Sequence, residues 1–174
     1  MKHKSSYLLS RKPPAQFMPA GFGLVETVVG AAILSVVLFS LVQVGQFTFR
    51  LVDESNLKLR AAFLAEEGLE AVRIIRDTSW SNLIAPSTLD TDYFLEFTGQ
   101  TFALQSNPVL PSDGIYERRI RFSSVYRDVN DDITTTGGAL DPNTRRVSVT
   151  VNWANRGRLA TTTISTYLSN LFNN

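Results

Sequence analysis

Three hydrophobic regimes follow one another along the chain. From Leu24 to Phe49 apolar residues run on with a single ionisable interruption, Glu26. At 1.5 Å per residue these positions form a helix of about 39 Å, longer than a hydrocarbon core of about 30 Å. Gly23, Gly30 and Gly45 fall in or beside the run, and membrane helices tolerate glycine. Beyond it, Leu57, Ala61, Leu64, Ala65, Gly68, Val72 and Ile75 recur at spacings of three and four, which predicts that the helix continues as an amphipathic one. Glu66, Glu67, Glu70 and Arg73 lie off that stripe, on a solvated face with an ordinary Glu70–Arg73 pair. Ser81, Asn82 and Pro86 predict that the helix ends between Trp80 and Pro86.

From about residue 93 the period becomes two. Tyr93–Phe97 and Thr101–Leu104 predict a hairpin around Gly99. In the next strand Tyr116, Ile120, Phe122 and Tyr126 share one face, and Glu117, Arg119 and Arg121 the other. Arg118 breaks the apolar face and is expected near a sheet edge or snorkelling outward. Val147, Val149, Val151 and Trp153 alternate with Ser148, Thr150 and Asn152. ANRGR then turns the chain, with Gly157 suited to a left-handed conformation, and LATTTISTYL returns. A sheet packed on the helical stripe buries both apolar faces, so the expected fold class is α+β.

Charge orients the first regime. Residues 1–21 hold Lys2, Lys4, Arg11 and Lys12 and no acid, while the remainder carries a formal −3. The positive-inside rule puts residues 1–21 in the cytoplasm and the C-terminal part outside. A cleavable secretory signal would place its small-residue site after the apolar core, but Ala20-Gly21 precedes it. A signal anchor accounts for the topology and leaves Glu26 unexplained, because a charge at mid-membrane costs on the order of 3 kcal/mol.

The residues GFGLVE, Gly21 to Glu26, resemble the prepilin cleavage motif of type IV pilins and type II secretion pseudopilins. The resemblance implies that a membrane peptidase cuts after Gly21, that Phe22 becomes an N-methylated N-terminus, and that Glu26 is the fifth residue of the mature chain. It also implies that the amino group of a neighbouring subunit's Phe22 neutralises Glu26 in a filament, fixing axial register. AAFLAEEGLEAVRIIRDTSWSNL and the terminal VSVTVNWANRGRLATTTISTYLSN resemble the post-membrane helix and last hairpin of minor pilins and I-type pseudopilins. Two features depart from the family. The 21-residue leader is longer than the shortest ones and carries Pro13 and Pro14, which disfavour a helix. The kink-forming proline of many major pilins is Gln43 here, and no proline stands between Phe22 and Ile84, although Gly45 is placed to soften the helix locally.

Other chemistry is sparse. There is no cysteine, and the one histidine, His3, lies in the leader. That removes Cys/His nucleophiles, Ser-His-Asp triads and His/Cys zinc sites from the mature chain. No phosphate-binding glycine loop occurs. Asp128, Asn130 and Asp132 begin like an EF-hand, but Ile133 replaces the required glycine and Ala139 the terminal glutamate, which leaves them an acidic surface loop and a weak calcium candidate. The polar stretch from Arg127 to Thr144 reads as one long loop. Eight arginines fall between Arg118 and Arg158, interleaved with Glu117, Asp128, Asp131, Asp132 and Asp141, rather than in a basic stripe with exposed aromatics, so nucleic acid is not expected as partner.

The expected organisation is a leader at 1–21, a transmembrane half-helix at 22–49, an amphipathic half-helix at 50–82 and a β-rich head at 83–174. With the resemblance, this implies a pilin fold in a non-enzymatic subunit without cofactor, held in a bacterial inner membrane before entering a pilus or pseudopilus. Its implied partners are other pilin subunits, the prepilin peptidase-methyltransferase, the assembly platform and membrane lipid. The alternative is a signal-anchored single-pass protein with an external sensor, binding or enzymatic domain.

Overall fold

The computed structural model describes Gly21, residues 23–109 and residues 114–174. The leader before Gly21, with His3 and the basic residues, lies outside the described residues, as does Phe22. The chain divides into two compact units, Met1–Phe47 and Thr48–Asn174. The division falls within one helix, α1, Leu24–Thr78. The helix is unbroken at Gly30 and Gly45, in keeping with the lack of proline.

The second unit is built on an antiparallel sheet. Its strands are β1 (Asp92–Phe97), β2 (Phe102–Gln105), β3 (Tyr116–Arg127), β4 (Ile133–Thr134), β5 (Ala139–Asn155) and β6 (Arg158–Ser169). They lie in the order β2-β1-β3-β5-β6, with β4 beside the end of β3. The expected first hairpin is β1–β2, with Phe97 opposite Phe102. The helical stripe lies against the sheet: Ala61, Ala65, Val72 and Ile75 are buried with Tyr116, Ile120, Phe122, Val147, Val149, Val151 and Trp153 in one core. The small residues on α1 bring its backbone close to the β-branched side chains of β5.

After Thr78 the chain makes one π-helical turn, Trp80–Ile84, capped by the Ser79 hydroxyl, which accepts from the Asn82 amide at 3.3 Å. Asn174 binds this corner: its backbone oxygen accepts from the Ser81 amide (2.8 Å) and its side-chain amide donates to Asp77 O (3.0 Å). Trp80 and Ile84 are thereby held in the core.

Three sequence expectations are corrected. Arg118 does not snorkel outward into solvent. It is only 12% exposed, donating to Leu64 O at 3.1 Å and pairing with Glu67 at 3.2 Å. A guanidinium can take the inward face because helix α1 supplies both a carbonyl and a carboxylate there. Tyr126 does not continue the apolar face. A register shift between Ser124 and Val125 buries Val125 (2%) and exposes Tyr126 (42%), because a bulge reverses which side chains point inward.

The third correction concerns residues 127–144, half of which are strand. Arg127 pairs with Ala139 and Ile133, and Val125 with Asp141, so β5 begins well before the valine alternation. Arg127 holds this extension, bonding Asp141 Oδ2 at 2.7 Å and Asp131 O at 2.8 Å. Asp128 closes the tip by accepting from the Asn130 and Asp132 amides at 2.8 and 3.0 Å. Those amides hold the Asp128 carboxyl below its ordinary range. Burial pushes Asp141 up, but the hydrogen bonds from Arg127, Thr144 and Asn143 outweigh it, and its pKa is lowered too. A lowered carboxyl stabilises the fold fully above the ordinary aspartate value of about 3.9, and that contribution disappears as pH falls through the lower folded value. We therefore expect residues 127–144 to exchange amide hydrogens faster, relative to the valine core of β5, below about pH 4. An unchanged ratio between pH 6 and pH 3 refutes this.

The β5–β6 turn carries a local strain. Asn155 pairs with Arg158, leaving Arg156 and Gly157 as a two-residue loop with φ of +51° and +77°. Glycine adopts this conformation freely, whereas an L-residue such as arginine pays about 1–2 kcal/mol relative to the right-handed region. The compensating Asp53–Arg156 pair is long, at 3.8 Å, and exposed, so it contributes little. Arg156→Asn should stabilise the second unit by about 0.5–1 kcal/mol in thermal denaturation, because asparagine tolerates this region.

Candidate functional site

The candidate site begins at the N-terminal turn of α1. Gly23 O accepts from the Glu26 and Thr27 amides at 3.0 and 3.2 Å, so the helix is established immediately after the Gly-Phe-Gly sequence. Gly21 is exposed. Glu26 lies in the first turn, where the positive end of the helix dipole favours a carboxylate. Its side chain is exposed, no described cation pairs with it, and the next basic residue along the helix is Arg50. The dipole alone offers a carboxylate at most partial compensation in an apolar medium.

The side chains that follow fit a lipid or helix-packed environment. No residue in the most apolar 18-residue window of α1 is buried by the rest of the chain, and α1 is long and apolar enough to cross a membrane. Large apolar groups from Leu24 to Phe49 are exposed. The hydroxyls within the run need no outside partner. Thr27, Ser35 and Ser40 donate to Leu24 O, Ala31 O and Val36 O, each at 2.8 Å. Back-bonding of this kind satisfies a hydroxyl where water is absent. Glu26 is thus the one side chain of the run whose charge has no compensation within the described residues.

Of the residues proposed to act together in processing and assembly, Gly21 and Glu26 stand at the start of α1, and Phe22 lies outside the described residues. The weak calcium candidate is engaged otherwise. Asp128 uses Oδ1 on two backbone amides, and no group of three or more His, Cys, Asp or Glu converges on a metal position among the described residues. Several of the clustered arginines are committed to carboxylates: Arg118 to Glu67, Arg119 to Glu117, Arg121 to Asp92 and Arg127 to Asp141. Sequence reasoning missed a different group, Arg50 and Arg158, which share one cleft though remote in sequence. The only signal for it was the basic hairpin tip Arg156-Gly157-Arg158.

No protein-family model, curated protein or solved structure matches this chain.

Proposed function

We propose that the chain is a prepilin: a structural, non-enzymatic subunit of a type IV pilus or type II secretion pseudopilus, cleaved after Gly21 and N-methylated on Phe22. The observation that carries this reading is Glu26, a carboxylate without an ion pair among the described residues, on the otherwise apolar and uncovered run Leu24–Phe49 of α1 and five residues past Gly21, where the proposed cut falls. An external cation would stabilise such a group in its charged form, and on this reading the amino terminus freed at Phe22 of an adjacent subunit supplies one. The long helix whose second half packs on an antiparallel sheet is compatible with a filament stacked through its N-terminal helices. Within this class we favour a minor pilin or pseudopilin, since the chain lacks both cysteines and the kink-forming proline. The partners on this reading are other pilins, the prepilin peptidase-methyltransferase and the inner-membrane assembly platform.

Mass spectrometry of the N-terminus, after co-expression with a prepilin peptidase, tests the proposal. We expect a mature chain beginning at N-methyl-Phe22. A chain that keeps its leader from Met1 in the presence of active peptidase overturns it.

A further inference from the structure

The second unit contains an open cleft of about 620 Å³ lined by Arg50, Glu54, Asn155, Arg156, Arg158 and Leu159, among others. Its charges are unequally satisfied. Glu54 is committed to Lys58 at 2.8 Å, and Arg156 lies 3.8 Å from Asp53. Neither Arg50 nor Arg158 has a carboxylate within ion-pairing distance among the described residues. Beside them Leu159 is 77% exposed. Arg50 on α1 and Arg158 at the start of β6 thus bring two guanidinium groups without an ion pair among the described residues beside an uncovered leucine.

Chain continuity determines what this cleft meets. Arg50 immediately follows Phe49, the last residue of the apolar run. Where that run leaves a bilayer, Arg50 therefore stands within about one helical turn of the headgroups. Arg158 and Leu159 line the same cleft as Arg50. We propose that Arg50 and Arg158 bind the phosphate of an anionic phospholipid in the outer leaflet of the anchoring membrane, with Leu159 against the acyl boundary. Guanidinium suits a phosphodiester because its planar fork donates to two oxygens at once, and a cation beside an apolar side chain matches the boundary between headgroup and acyl chain. The inference rests on α1 crossing the membrane with residues 50–174 outside; it is independent of filament assembly. Its consequence is that the unassembled subunit is oriented on the membrane by its head as well as its anchor.

The natural absence of cysteine makes the test direct. Leu159→Cys, labelled with a neutral environment-sensitive fluorophore, is placed in the full chain and reconstituted in phosphatidylcholine nanodiscs with or without phosphatidylglycerol. Retention on the nanodisc through size exclusion at high salt scores insertion separately. We expect acrylamide quenching of the label to fall several-fold with phosphatidylglycerol, and this protection to vanish at high salt and in an Arg50→Gln/Arg158→Gln chain that still inserts. Insertion with equal quenching in both lipids overturns the headgroup proposal alone. Failure to insert overturns the spanning reading and the proposal with it. Protection that requires an added acidic protein and ignores lipid charge also overturns it, by assigning the cleft to a protein partner.

Discussion

If the chain is the prepilin proposed above, Glu26→Gln should leave it inserted and its second unit folded, and should sharply reduce its incorporation into filaments. The side chain is exposed and makes no ion pair with a described residue, so folding of the second unit should lose nothing when its charge is removed. In the proposed filament the same change would leave the neighbouring amino terminus without its counter-charge among apolar helices. Breaking one partner of a buried pair costs about 3–5 kcal/mol, which corresponds to a loss of two orders of magnitude or more in incorporation. The measurement is the ratio of filament-borne to membrane-borne subunit, with insertion and thermal unfolding as controls. Glu26→Asp, which retains charge at a shorter reach, should recover part of the loss. If Glu26→Gln assembles like the unmodified chain, the role assigned to this carboxylate is wrong.

Gly68→Ala destabilises the second unit by about 1–3 kcal/mol, the range typical of overpacking a filled core. A Cβ built at Gly68 lies 2.8 Å from Val149 Cγ1 and 3.0 Å from Arg118 Cδ. Val149 is fully buried in the middle of β5 and stiff about its first side-chain torsion, so it has little room to withdraw. Arg118 is tied on the same side by Leu64 O and Glu67. Alanine's better helix propensity, worth about 1 kcal/mol, acts in the opposite sense and offsets only part of the clash. Adding Val149→Ala removes the obstructing methyls, and the two changes should couple: the double variant is less destabilised than the sum of the singles. Strict additivity in denaturant unfolding would show that the close approach at Gly68 is not tight.

Much of the fold is legible from periodicity. The stripe from Leu57 to Ile75, the solvated glutamates opposite it and the Val147–Trp153 alternation all correspond to what the structure displays, because each records which side of an element faces the core. The failures share one cause. Arg118, Tyr126 and residues 127–144 lie where burial is decided by a partner far away in sequence. Nothing near Arg118 announces that Glu67 and Leu64 O will receive it. A bulge set by the register of β5 turns Tyr126 outward, and hydrogen bonds donated by Arg127 and accepted by Asp128 sustain a strand extension with no apolar alternation to betray it.

The candidate site divides in the same way. The sequence by itself determined the apolar run, its lone carboxylate and the Gly-Phe junction before it, since transfer from water to lipid depends on composition over a contiguous stretch. It also determined the alternation that makes an α+β head, because helix and strand periods are local properties of the backbone. Only the tertiary structure decided that Gly68 is a contact point, that Arg118 belongs to the interior, and that Arg50 and Arg158 share one cleft. Those outcomes depend on which backbones approach across the helix–sheet interface and across the hairpin, distances that no local pattern encodes.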